Sequence, residues 1–313
     1  MIGLKEPFYV SLKPFLNHGL LDRPTDWTSV FSNCNPLEVE IGSGNGEYLA
    51  ALSLQNPKAN FIGLEVYCER IHRTLRKLSR TGLDNVRVLR LDARAAFERY
   101  LAPQTVRRVY CLYPPPWPKK SDAKHRLFTP DFLRLINSRL VNDGVLKIVT
   151  DHRPYIDWID ENLPGTGFSV ELKNIPANYG TKFEKKWVAE GKQEFYELLL
   201  TKNEHVARGI KEDAALQSYT LENFDPDHFA FKDYSHDGLA VSLKEILYDV
   251  KKQVALVHVI ACDGPMSQNV RIVIARSPKG WRINLAEGGM LMPTQAVQQA
   301  LECTYQAAQN SVG

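Results

Sequence analysis

The 313-residue chain, with 44% hydrophobic and 24% charged side chains, is long enough for two compact domains, and its composition excludes disordered and fibrous classes. No apolar run reaches the ~18 residues of a membrane span, and Met1 to Pro14 carries Lys5, Glu6 and Lys13 in place of a signal-peptide core, so a cytosolic protein without membrane association is expected. The net charge of +3 divides into 28 basic against 23 acidic residues through Leu200 and 11 against 13 beyond, too small a surplus to identify a polyanionic partner by itself.

From Leu37 to Leu200 strand-like apolar runs alternate with helical stretches. Leu37–Ile41, Asn60–Val66, Val86–Leu91, Arg108–Leu112 and Gly144–Thr150 read as strands, and Glu47–Gln55, Glu69–Arg80, Arg94–Tyr100 and Pro130–Leu140 as the helices between them. That alternation predicts an α/β, Rossmann-like domain with a mostly parallel, doubly wound sheet. Gly167–Leu172 and Glu194–Thr201 read as a final strand pair, closing a first domain over residues 1–202. Residues 203–218 are polar and are expected to be a linker or a surface helix. In residues 219–313, Phe229–Tyr234, Val254–Ile260, Val270–Arg276 and Trp281–Leu285 read as short strands. Val241–Tyr248 also reads as a short strand, with Ser242–Tyr248 ambiguous between strand and helix, and Thr294–Gln309 is a terminal helix entered through Pro293. A second, small α+β domain is expected there.

The first strand runs into Gly42-Ser43-Gly44-Asn45-Gly46 and then a helix. Glycines let the backbone turn tightly beside a ligand, and a helix N-terminus offers unpaired N–H groups. The spacing is GxGxG, preceded by Glu40, whereas dinucleotide-binding turns use GxGxxG and hold a pyrophosphate. A carboxylate would repel pyrophosphate and attract the sulfonium and ammonium of S-adenosylmethionine. Glu65 ends the next strand, where one carboxylate can bridge two ribose hydroxyls, and Asp92 ends the third, where it can accept from an adenine amino group. Each acid alone is as well explained as a solvated strand end. Three in succession at the carboxyl ends of consecutive strands indicate a methyl-donor pocket that includes Glu40, Gly42, Gly44, Glu65 and Asp92.

After the fourth strand comes Pro114-Pro115-Pro116-Trp117-Pro118, followed by Lys119, Lys120, Lys124, His125 and Arg126. A stiff aromatic wall and a cationic run beside a donor pocket suit stacking and phosphate attraction. The alternative is a proline-stiffened surface loop with solvated charges.

Taken together, Leu37 to Gly46, Gly63 to Val66, Asp92, Pro114 to Lys119, Thr150-Asp151 and Thr181-Lys182-Phe183-Glu184 resemble the tRNA (guanine-N7-)-methyltransferase family, over roughly residues 35–200. The resemblance implies a class I methyltransferase fold and S-adenosylmethionine held by Glu40, Glu65 and Asp92. It further implies a tRNA substrate handled by Lys119, Asp151, Thr181, Lys182, Phe183 and Glu184, and methylation of guanine N7 at position 46 of the variable loop. Asp151 is the expected catalytic group. Family members commonly carry Asp where this chain has Pro115, so that carboxylate is missing. Two alternatives stay open: methylation of an exocyclic base amine, and a tRNA-binding protein that has lost turnover.

Arg70, Arg73, Arg76, Lys77 and Arg80 recur along one helix and read as a solvated face. Asp225, Asp227, His228, Asp233, His236 and Asp237 lack metal-ligand spacing, and no metal is expected. Cys34, Cys68, Cys111, Cys262 and Cys303, scattered and without a CxxC pair, read as reduced, mostly buried thiols. The sequence assigns neither a role to the second domain nor an oligomeric state.

Overall fold

The computed structural model describes residues 9–192, 194–288 and 290–312. Residues 1–8, part of the opening stretch read above for an export signal, lie outside them. The chain divides into two compact units, Met1–Lys211 and Glu212–Gly313.

The first unit opens with two elements the sequence reading did not foresee, β1 (Phe15–Leu16) and α1 (Trp27–Phe31), and then alternates strand and helix: β2 (Leu37–Ile41), α2 (Glu47–Gln55), β3 (Asn60–Glu65), α3 (Cys68–Thr81), β4 (Val86–Arg90) and α4 (Ala93–Ala95). It continues through β5 (Val106–Leu112), α5 (Pro130–Arg139), β6 (Leu140–Thr150), α6 (Arg153–Glu161), β7 (Phe168–Ile175), α7 (Lys182–Ala189) and β8 (Phe195–Lys202). These strands form one sheet in the order β1-β4-β3-β2-β5-β6-β8-β7. All pairings are parallel except β6 with β8 and β8 with β7. This is a mostly parallel, doubly wound, Rossmann-like sheet. Order reverses at β2, where β3 lies on one side and β5 on the other, and that switch point leaves a crevice beyond the strand ends.

Local chemistry accounts for the elements. Every residue of β2 and β3 is buried, as expected for parallel strands covered on both faces. In α3 the buried residues are Ile71, Thr74, Leu75 and Leu78, a single 3.6-period face, and Gly82 ends the helix in the left-handed conformation at φ 65°. The Thr129 hydroxyl accepts from Phe132 N–H to start α5, with Pro130 at its first turn. The third expected helix, Arg94–Tyr100, is only Ala93–Ala95 followed by one π turn to Tyr100. Sequence periodicity did not single out α6 or α7.

Residues 203–218, expected as a linker or a surface helix, contain no helix, and residues 204–209 are bonded into the first unit. The fully buried Arg139 guanidinium donates to the carbonyls of Phe97, Arg208 and Gly209, each at 2.7 Å. The Asn137 side chain donates to Glu204 O at 2.9 Å and accepts from Val206 N–H at 2.9 Å. Burial pulls the Arg139 pKa down to about 10, with the Glu98 charge acting in the opposite direction. The segment was unreadable in the sequence because backbone carbonyls, present at every residue, bind it to the core.

The second unit is a six-stranded antiparallel sheet in the order β10-β11-β12-β13-β14-β9 with α8 (Gln295–Gln309) on one face. Its strands are β9 (Tyr219–Leu221), β10 (Tyr234–His236), β11 (Leu239–Asp249), β12 (Val254–Asp263), β13 (Met266–Ser277) and β14 (Gly280–Leu285). Val257, Val259, Ile272, Ile274 and Ile283 pack with Ala296, Val297, Ala300 and Leu301 of the helix. The ambiguous Ser242–Tyr248 stretch is strand, with a register shift between Leu243 and Glu245 that breaks its alternation. Of the expected strand Phe229–Tyr234 only Tyr234 is in one, as the first residue of β10. Phe229 and Phe231 pack against the core as loop residues, and β9, too short to show a pattern, closes the sheet instead. Of the five cysteines, all free, Cys34 and Cys68 are exposed, so the expectation of mostly buried thiols fails for these two. Among the described residues no helix is long and apolar enough to cross a membrane, and no cluster of His, Cys, Asp and Glu is gathered for a metal.

Arg139 makes the end point of a first-unit fragment decisive. A fragment ending at Lys211 is expected to fold. One ending at Lys202 strips two carbonyls from a buried cation and is expected to lose about 3 to 5 kcal/mol. Urea denaturation followed by tryptophan fluorescence compares the two; equal midpoints would refute this role for residues 203–211.

Candidate active site

A cavity of about 550 Å³ opens at the switch point, within the range of small-ligand pockets. Glu40, Gly42, Gly44, Glu65 and Asp92 all line it, as do Pro114, Pro115 and Trp117 from the proline segment and Thr181, Lys182 and Phe183 from the start of α7. Residues far apart in sequence thus share one hollow, because each follows or ends a strand at the same edge of the sheet.

The glycine turn is built around left-handed backbone. Gly44 at φ 56° turns its N–H onto Glu65 Oε2 at 3.0 Å. Gly46 at φ 71° lies against α3, where an added Cβ would come within 2.5 Å of Thr74 Cγ2, so α2 and α3 pack closely only with glycine there. Glu65, 3% exposed, also accepts from Val66 N–H at 2.8 Å and Tyr67 N–H at 3.0 Å. The Arg70 guanidinium stands 3.5 Å from its Oε2. Asp92 caps α4 by accepting from Arg94 N–H at 2.8 Å through Oδ1.

Glu40 is the unusual acid. It is 4% exposed, and its Oε2 has no hydrogen-bond partner. Burial, and after it the charges of Glu47 and Glu65, raise its pKa well above the ordinary 4.5, with Lys77 acting in the opposite direction. An unpaired buried carboxyl on a cavity wall is costly unless a cation arrives. This set of acceptors fits a ligand that is cationic at one end and carries hydroxyl and amino donors at the other, as S-adenosylmethionine does.

The opposite wall is held by a second carboxylate. Glu184, 2% exposed, accepts from the N–H groups of Asn178 at 2.8 Å and Tyr179 at 2.9 Å, from Gly180 N–H, and from the Tyr113 hydroxyl at 2.8 Å. Four donors saturate it, and it does not line the cavity. Tyr113, at φ 56°, begins the proline wall, and burial and then the Glu184 bond push its phenol pKa upward. Glu184 therefore fixes the wall to the lip of α7, on which Thr181 caps the helix. Arg126 braces the wall from outside, donating to Pro116 O at 3.0 Å and Trp117 O at 3.2 Å while its guanidinium lies 4.9 Å from the Trp158 ring centre. The sequence counted Arg126 among free cations; its bracing role had no local signal.

Two expected residues lie elsewhere. Lys119 is exposed at the start of a short 3-10 turn and is outside the cavity. Asp151 lines a shallower cleft of about 390 Å³ with Arg153, Lys192 and Tyr196. Its carboxylate meets Lys192 Nζ at 2.8 Å. That cleft is close enough for the Asp151 charge to contribute to the upward shift at Tyr113. Arg70 and Arg73, read in the sequence as part of a solvated face, line the main cavity.

Residues 34–197, just over half of the chain, match the protein family described as "Putative methyltransferase". A tRNA (guanine-N(7)-)-methyltransferase of Chlorobium phaeobacteroides is 37% identical over 181 residues, covering 58% of this chain and 89% of the relative. One from Geobacter metallireducens is 32% identical over 203 residues, covering 63% and 93%. That of Thermus thermophilus is 29% identical over 292 residues, 89% of this chain and 90% of its own length, a span longer than the first unit.

The Glu40 environment generates a stability prediction. A carboxyl whose folded pKa is raised contributes stability that is present below about pH 4.5 and lost as pH rises through the folded value. Glu40→Gln removes that loss. Its advantage in unfolding free energy over the wild type is expected to grow between pH 5 and pH 7 by on the order of 1 kcal/mol per pH unit. Denaturant titrations at pH 5, 6 and 7 test it, and a pH-independent difference would mean Glu40 is ionised in the folded protein.

Proposed function

Given that the chain belongs to the tRNA (guanine-N(7)-)-methyltransferase family, we propose that it transfers a methyl group from S-adenosylmethionine to N7 of a guanine in tRNA, at position 46 of the variable loop. The observation that carries the site assignment is that one cavity is lined both by the three strand-end acids and by the proline wall with Thr181, Lys182 and Phe183. When bound, S-adenosylmethionine supplies an electrophilic methyl on a sulfonium.

In this reading the chain's residues bind and orient. Glu65 accepts from ribose hydroxyls in place of the long 3.5 Å contact to Arg70, while the three backbone N–H groups hold it still. Asp92 accepts from the adenine amino group through the oxygen not used in its cap. Glu40 gives up its proton and remains as a carboxylate against the cationic end of the donor. Gly42 and Gly44 keep the turn free of side chains where the ligand passes.

Guanine N7 carries a free lone pair, so attack requires no general base; what it requires is an in-line approach at roughly 3 to 3.5 Å and an environment that accepts positive charge on the purine. The chain meets those needs without the carboxylate missing at Pro115. Trp117 and Phe183 line the cavity, and Asp151 accepts from the guanine N1–H and amino group once Lys192 exchanges it for an RNA phosphate. Glu184 serves by holding Thr181, Lys182 and Phe183 in place. An exocyclic amine would have to shed a proton during or after attack. The stretch Pro114-Pro115-Pro116 has no side-chain acceptor for that group, so N7 is favoured.

Nucleoside analysis of unmodified tRNA incubated with protein and labelled donor tests the reaction. N7-methylguanosine is the expected product; a methylated amine, or no product at all, would establish one of the two alternatives instead. For the individual residues, Glu40→Gln, Glu65→Ala and Asp92→Ala are each expected to weaken donor binding by calorimetry, at about 1.5 to 3 kcal/mol apiece. Unaltered affinity in all three would remove the cofactor assignment. Asp151→Asn is expected to lower kcat/KM by about tenfold or more, the scale of one lost charge-assisted bond. Pro115→Ala should cost less, and Pro115→Asp should be neutral or activating. Wild-type methyl transfer by Asp151→Asn would take Asp151 out of the mechanism.

A further inference from the structure

The cavity mouth is more than a donor pocket. Three aromatic side chains around it are substantially exposed: Tyr67 at 59%, Phe183 at 45% and Trp117 at 39%. Rings of this size are usually buried, and here they come from three separate segments that converge only at this opening. Tyr67 immediately precedes α3, and Arg70, one turn along, lies over its ring at 4.6 Å.

From that point α3 carries a continuous line of cations. Arg70, Arg73, Arg76, Lys77 and Arg80 fall within about 120° of the helix circumference, opposite the buried Ile71, Leu75 and Leu78, and extend about 15 Å away from the mouth. Arg70 and Arg73 line the cavity itself, Arg73 standing 3.5 Å from the Asn45 side chain of the glycine turn. Lys77 is matched by Glu47 at 3.3 Å, and Arg70 has Glu65 at 3.5 Å. Glu69 is the one acid within the helix. A surface helix selected merely for solubility would intersperse both signs.

We propose that α3 is a backbone track for the substrate RNA: the Arg73–Arg76–Arg80 edge takes successive phosphates of the strand that leaves the cavity, and Tyr67 stacks on a base next to the one being modified. This rests on the tRNA reading given above. It differs from that reading in placing RNA contact on the side of the cavity that carries the donor-binding acids, a region for which neither the glycine turn nor the proline wall provides cations. Ring faces supply sequence-tolerant stacking and arginines supply the electrostatic, salt-dependent part of binding. Arg70 joins the two sites physically, because the same guanidinium touches the Glu65 carboxylate and the Tyr67 ring.

Fluorescence anisotropy of labelled, unmodified tRNA, titrated with the full-length protein at several salt concentrations, tests the track without requiring turnover. Its failure is therefore distinguishable from failure of the methyl-transfer reading. Arg73→Ala with Arg76→Ala is expected to weaken tRNA binding about tenfold or more at low salt and to reduce the slope of log affinity against log salt by about 2. Tyr67→Ala is expected to weaken binding about fivefold or more with the slope retained. In turnover assays both variants should raise KM for tRNA by a larger factor than they lower kcat. Lys244→Ala with Lys251→Ala, exposed in the second unit, is the control and should change neither affinity nor slope. Wild-type affinity and slope in the arginine variant, or an equal loss in the control, would overturn the proposal.

Discussion

The Glu65 carboxylate is the constraint on which the cavity depends. It gathers the N–H groups of Gly44, Val66 and Tyr67 and the Arg70 guanidinium around two oxygens, joining the glycine turn to the segment between β3 and α3. Bonds to a charged acceptor contribute on the order of 1.5 to 3 kcal/mol each, so the turn is already shaped before any ligand arrives. Preorganisation of this kind lowers the ordering cost of binding. The same constraint places Arg70, and hence the first turn of α3, at the cavity mouth.

Glu184 performs the corresponding task on the far wall, and the two acids show how differently a buried carboxylate can be used from Glu40. Glu65 and Glu184 are surrounded by donors, so burial costs them little. Glu40 is left with an oxygen unpaired, and burial with the neighbouring Glu47 and Glu65 charges raises its pKa. A protein keeps such a group where a cationic ligand will supply the missing partner, and a perturbed, desolvated acid in a cleft is a physical marker of that use. Stability and donor binding therefore make opposite demands on this position.

The substrate side is assembled from weaker elements. Tyr113 and Trp117 both hold positive φ without being glycine, a strained choice that survives because Glu184 and Arg126 hold the segment at both ends. The missing carboxylate at Pro115 is tolerable for N7 because the accepting atom has no proton to lose, so the wall serves mainly to exclude water and confine a base. Asp151 in the free protein is paired with Lys192, and its availability depends on that partner moving.

Much of this was determined by local sequence. Buried parallel strands read as apolar runs, the left-handed turn required glycine at positions 42, 44 and 46, and acids at consecutive strand ends are brought together by any sheet of that order; those features follow from period and steric preference alone. The motifs at Pro114 to Trp117 and Thr181 to Glu184 were visible as well. What they do was not, since nothing in the sequence distinguishes Thr181, Lys182 and Phe183, which face the cavity, from Glu184, which turns away to hold backbone. The tertiary structure alone decided that residues 203–211 belong to the first unit through Arg139, that β9 rather than Phe229–Tyr234 completes the second sheet, and that the arginines of α3 begin at the cavity mouth. The physical reason is that each depends on a partner outside the segment itself, the Arg139 guanidinium for residues 208 and 209, the β14 backbone for β9 and the Asn45 side chain for Arg73, and such meetings leave no periodicity in either stretch of sequence.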